Sequence, residues 1–193
     1  MKTVIQTLFC LLLFYSCNNK TDKNITGNTK PTLIKIGYYP TFHQPAETIL
    51  NFDEKYLIFY SPTLYNPAPP PPGENGLKLS EEEKLEYENY LAENPKLEAF
   101  ETKIDDSEIK ELEGIINSFT ADDLNMSDIK PPNDGMSINI LIRYSNGKVD
   151  EINPMNAPKE NHRNLYGKIL NLIISKNSNK NNSIILQRIK RYH

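Results

Sequence analysis

The sequence predicts an α+β domain in which an antiparallel sheet built from two strand groups carries about three helices packed on one face. Three patterns predict it. Short runs rich in Ile, Leu, Tyr and Phe near the N-terminal side are separated by a turn-sized gap. An alternating apolar run leads into Asn146-Gly147, where both turn residues tolerate positive φ. Between the two groups, Ile109, Leu112, Ile115, Ile116 and Phe119 recur at helical spacing.

The folded part is expected to span 32–193. "TLIKIGYY", from Thr32, reads as a leading strand, and "AETILNF" and "KYLIFY" flank Asp53-Glu54 as an antiparallel hairpin. Tyr38, Tyr39, Phe42, His43, Tyr56, Phe59, Tyr60 and Tyr65 could cradle a ligand, but aromatics in strands pack across strands more often than they bind. The absence of Trp also removes the usual sugar-stacking platform. The segment 61–76, "SPTLYNPAPPPPGENG", reads as a stiff loop or spacer, because consecutive prolines impose polyproline geometry and offer no ladder donors.

Ser80-Glu81-Glu82-Glu83 forms a capping box, followed by a helix to about Glu93 that Asn94-Pro95 stops. The striped helix begins at Asp106 or Ser107, with Glu108, Lys110, Glu111 and Glu113 on a solvated face. Asp105-Asp106 and Asp122-Asp123 each supply a helix cap. Pro131 to Gly135 breaks the chain before Met136, Ile138, Ile140, Ile142 and Tyr144. A plain two-residue hairpin would set Glu151 opposite Ile142, so a bulge or a wet strand end is expected. A helix from about Asn161 to Lys176 turns Leu165, Tyr166, Ile169, Leu172 and Ile173 inward, and Asn177 to Asn182 reads as a loop. For "SIILQRIKRYH" the periodicity leaves strand and short helix both open.

The chain begins differently. Lys2 precedes an apolar core, Val4 to Tyr15, broken only by Gln6 and Thr7 and shorter than the roughly 20 residues a membrane span needs. At Cys17 the sequence turns from apolar to polar, with small Ser16 just before it. Phe14-Tyr15-Ser16-Cys17 resembles the lipobox of a bacterial lipoprotein signal peptide, in the looser Ser-Cys style of the Bacteroidota. The resemblance implies removal of 1–16 by cleavage between Ser16 and Cys17, and lipidation of Cys17. Several acyl chains, at roughly 0.8 kcal/mol per buried methylene, hold a protein on a membrane. Cys10, the other cysteine, lies in the core that would be discarded, so no thiol would remain for a disulfide, a metal or catalysis.

The stretch 17–31 is polar and without apolar periodicity, a tether that as a coil of about 14 residues spans roughly 20 Å. Asn18 is not the aspartate of an inner-membrane retention signal, so the resemblance implies a lipid-anchored protein at the outer membrane of the cell envelope.

The formal net charge is −3, one unit more negative without Lys2, and nucleic acid is excluded as an expected partner because phosphate binding needs a clustered cationic face. The basic cluster is C-terminal, Arg188, Lys190 and Arg191 beside His193, and could touch anionic lipid headgroups. Ser107 to Lys110 and Ser127 to Lys130 fit Ser-x-x-Lys but lack the Lys-Thr-Gly and Ser-Asp-Asn partners of acyl transfer. His43, His162 and His193 are scattered. No catalytic residue, metal or cofactor is expected. The expected function is non-enzymatic protein binding or support at the cell envelope, with a membrane and an envelope protein as partners. The alternatives are an immunity protein against a periplasm-acting toxin and an envelope hydrolase whose residues converge only in three dimensions.

Overall fold

The computed structural model describes residues 29–41, 43–66, 78–124, 135–154 and 158–192. The signal peptide, Cys17 and most of the tether, Phe42, the proline run, Ser127 to Lys130, the break at 131–134 and His193 lie outside the described residues.

Among the described residues the chain runs β1 (Pro31–Pro40), β2 (Ala46–Asn51), β3 (Tyr56–Tyr60), α1 (Glu81–Glu93), β4 (Phe100–Lys103), α2 (Asp106–Asn117), α3 (Ala121–Leu124), β5 (Met136–Tyr144), β6 (Val149–Ile152), α4 (Glu160–Lys176) and α5 (Lys180–Arg191). The six strands form one open sheet of order β4-β3-β2-β1-β5-β6, antiparallel throughout. The fold is therefore α+β, as the residue patterns predict.

Alternation decides which face is buried. Ile34, Ile36 and Tyr38 of β1, Leu50 of β2, Leu57 and Phe59 of β3, and Ile138 to Ile142 at every second position of β5 point into one core. Three helices close that core. α2 brings Ile109, Leu112 and Ile116, α4 brings Leu165, Ile169 and Ile173, and α5 brings Ile185, Leu186 and Ile189. The Tyr38 hydroxyl donates to the Tyr166 carbonyl at 3.2 Å, tying β1 to α4. α1 buries none of its residues and lies outside this packing.

Five details correct or complete the sequence reading. The hairpin at Asn146-Gly147 has a three-residue loop, in which Tyr144 pairs with Lys148 and Gly147 sits at φ 83°. That single-residue shift sets Asp150 opposite Ile142 and turns Glu151 outward opposite Leu141, which is the bulged solution to the clash of the simple register. The short edge strand β4 has no counterpart in the sequence reading. The loop expected over Asn177 to Asn182 ends at Asn179, whose side chain caps α5 by accepting from the Asn182 N–H at 3.0 Å. The C-terminal segment is a helix. On α2, Glu108 and Glu111 are not free on a solvated face, because they pair with Lys176 and Lys168 of α4 at 3.0 and 2.6 Å.

Candidate functional site

A groove opens where the C-terminal end of β1 and the β1–β2 connection meet the segment after β3, the end of α1, and α5. It has a volume of about 310 Å³. Pro40, Pro95, Ile185 and Ile189 give apolar walls; Thr41, His43, Gln44, Asn94 and Arg188 give polar ones; and Leu64, Tyr90 and Tyr192 stand at the rim, exposed.

Local chemistry accounts for each position. Asn94 ends α1, its backbone N–H bonding to Tyr90 and Leu91 carbonyls, and Pro95 forbids another turn. Orphan carbonyls remain at such a helix end. The Arg188 guanidinium, half-buried on α5, reaches across to donate to the Glu93 carbonyl and to Asn94 Oδ1 at 2.9 Å. Its Nη1 also lies 3.3 Å from His43 Nδ1. Because an arginine can only donate, Nδ1 accepts, which leaves the proton on Nε2 and the ring neutral. Burial and the adjacent Arg188 charge hold the His43 imidazole below its ordinary value, against the opposing effect of Asn94. Gln44 anchors the other wall, its Oε1 accepting from the Leu97 N–H at 3.1 Å. The Tyr65 hydroxyl donates to the Asn94 carbonyl at 2.7 Å and fixes the segment after β3 to the end of α1.

A second polar cluster lies on the sheet face opposite the helices. Glu47 of β2, 4% exposed, accepts from the Tyr39 and Tyr60 hydroxyls, the latter at 2.5 Å, and pairs with Lys35 Nζ at 2.8 Å. Tyr60 stands directly across from Glu47 on β3, and Gly37 faces it from β1. The Tyr39 ring reaches Glu47 by lying over Gly37, where a Cβ would stand 2.3 Å from the ring. Burial opposes ionisation of Glu47, but the three donors prevail and hold its carboxyl below the ordinary range. The same contact, with burial, pushes the Tyr60 phenol up to about 12.

A third cluster joins α3 to α4. His162, fully buried, accepts at Nδ1 from the Lys159 N–H at 3.2 Å and donates from Nε2 to the Asp123 carbonyl at 2.8 Å. Asp123 accepts from the Thr120 N–H and Asn161 Nδ2. Among the described residues no buried side-chain nitrogen or oxygen lacks a partner, so the cluster reads as a structural joint. Among the described residues no group of three or more His, Cys, Asp or Glu side chains could hold a metal ion.

No family model, curated protein or solved structure matches this chain.

The residues singled out in the sequence separate on folding. Tyr38 and Phe59 are core, Tyr39 and Tyr60 hold Glu47, and His43 and Tyr65 belong to the groove. The aromatic cradle is thus dispersed over three places. Asp105 caps α2, accepting from the Ser107 and Glu108 N–H groups at 2.8 and 2.9 Å, and its Oδ1 also takes the Ser107 hydroxyl. That leaves Ser107 a capping partner, with no lysine upon it. Asp123 is the third residue of α3, and Thr120 supplies the cap. Of the C-terminal basic cluster, Arg188 turns into the groove while Lys190 and Arg191 stay exposed. Gln44 has no sequence signal, and Asn94 and Asn182 read only as a helix stop and a loop residue; single amides carry no spacing signal, and their roles rest on contacts from 53 to 94 residues away.

Proposed function

We propose that this protein is a non-enzymatic binding module of the cell envelope, tethered to a membrane through lipidated Cys17, and that it captures a protein partner in the groove beside α5. One observation carries the proposal. Of the five large hydrophobic residues most exposed among the described ones, three, Leu64 (94%), Tyr90 (40%) and Tyr192 (41%), rim this one groove. Clustered tyrosines around an arginine are the composition of binding hot spots, where flat amphipathic rings contribute contact area at little entropic cost.

The position of the groove supports the same reading. The tether would enter at Pro31, and the groove lies beyond Pro40, at the other end of β1. Ten residues of strand at about 3.3 Å each separate the two ends by roughly 30 Å, so an upright domain presents the groove away from the bilayer. Lys190 and Arg191 stand at that same far end of the domain, so contact with headgroups would require it to lie over on its tether.

The test is site-specific photocrosslinking in the native envelope, with the reactive side chain placed at Leu64, at Tyr192, or at Val149 as a control remote from the groove. A single protein captured from Leu64 and Tyr192 but not from Val149 is the expected result, and a secreted toxin as that protein would specify the immunity reading. Equal, diffuse labelling from all three positions would overturn the proposal.

A further inference from the structure

We propose that the groove recognises the C-terminal carboxylate of its partner polypeptide, with the last, apolar side chain of the partner against Ile185, Ile189 and Pro95. This rests on the partner-binding reading above and specifies what is bound.

The inference follows from which hydrogen-bonding capacity the fold uses and which it leaves. Gln44 has one acceptor and two amide protons; the acceptor is taken by the Leu97 N–H, and the amide nitrogen has no partner among the described residues. The His43 ring is engaged by both Arg188 and Asn94. Arg188 uses three of its five N–H groups on Asn94, His43 and Glu93, and keeps the rest of its donors and its charge. Asn94, which could supply an acceptor, has its Oδ1 on Arg188, its Nδ2 on the Tyr90 carbonyl and its own carbonyl on Tyr65. Among the described residues no aspartate or glutamate lines the groove. Gln44 from the β1–β2 connection and Arg188 from α5 thus arrive with donors unspent, around one fixed positive charge.

An occupant must supply acceptors and negative charge. A carboxylate accepts several hydrogen bonds at once, and charge-assisted bonds of this kind are about twice as strong as neutral ones. The terminal carboxylate fits better than that of an internal aspartate or glutamate for reasons of space. About 310 Å³ is the lower end of the range for a pocket holding a small ligand, enough for a chain end of two or three residues, whereas an internal residue brings backbone on both sides. The exposed Tyr90 and Tyr192 at the rim would flank the residues that lead in.

The test uses the full chain in detergent and two pools of randomised hexapeptides immobilised through their N-termini, one ending in free carboxylates and the other in carboxamides. Retention of the free-acid pool exceeds that of the carboxamide pool by about tenfold or more if the carboxylate is the anchor. Gln44→Glu keeps an oxygen for the Leu97 N–H but replaces the spare donor with negative charge, so it abolishes the preference at unchanged melting temperature. Arg188→Lys reduces the preference, and Gln44→Glu guards against the chance that loss of the Arg188 contacts to α1 disturbs folding. Equal retention of both pools, retention of neither, or a preference that survives Gln44→Glu would overturn the inference. A partner crosslinked from Tyr192 alongside equal retention would leave the binding reading standing and remove the carboxylate from it.

Discussion

Glu47 illustrates at the scale of one residue how a carboxylate is kept ionised when its own surface is almost wholly covered. Burial alone would favour its neutral form, and the donors from Lys35, Tyr39 and Tyr60 reverse that preference. A carboxyl whose folded value is depressed contributes stability at pH above its unfolded value, near 4.5, and loses it as pH falls through the folded value. Urea midpoints measured from neutral pH downward are therefore expected to fall below pH 4.5 more steeply in the native protein than in Glu47→Gln. At pH 7 the substitution costs about 1.5–3 kcal/mol, the range for losing charge-assisted hydrogen bonds to a buried group. Equal slopes in the two proteins would show that Glu47 is not the titrating group. Nothing in "AETILNF" announces this cluster, since one acidic residue in an alternating strand reads as its wet side; the role depends on Tyr60 lying across the ladder and on Gly37 letting Tyr39 fold over.

At the scale of elements, the strands and helices with strong periodicity were legible in the sequence and the joints between them were not. The stripe on α2, the inward face of α4 and the alternation of β5 follow from local spacing, which is why their residues are buried where expected. β4 escaped notice because four residues give alternation too little length to stand out, and its existence depends on β3 being there to pair with. Asparagine-rich composition favours a loop at Asn182, yet on α5 its amide spans both backbone groups of Glu98, accepting from the N–H at 2.9 Å and donating to the carbonyl at 2.8 Å. That pair docks the stretch between α1 and β4 onto α5, beside the groove. Asn182→Ala leaves two backbone groups unpaired, with an expected loss of about 2 kcal/mol in chemical denaturation. It also speeds hydrogen exchange at the Glu98 amide; an amide that exchanges no faster would show the contact to be incidental.

For the whole molecule, the division is between a helix-covered face that stabilises and an end of the sheet where the candidate groove opens. The proposed anchor belongs to this scale. Cys17→Ala is expected to move the protein from the membrane fraction to the soluble fraction on cell fractionation, with the melting temperature of the folded part unchanged; retention on the membrane after the substitution would remove lipidation from the account. Of the candidate groove only scattered members, His43, Tyr65 and Arg188, stood out in the sequence, because its walls come from β1, the segment after β3, the end of α1 and α5, and its free donors on Gln44 and Arg188 lie far apart in the chain.

The sheet order carries a consequence for how the chain comes into being. β1 is central, and its two neighbours arrive at very different times: β2 follows within a few residues, but β5 begins at Met136. Until then one full edge of the longest strand is an open template, and the core it should cover is missing α4 and α5. The sheet cannot be completed until β5 has been synthesised, and loop closure over about a hundred residues makes that pairing slow relative to the local hairpins.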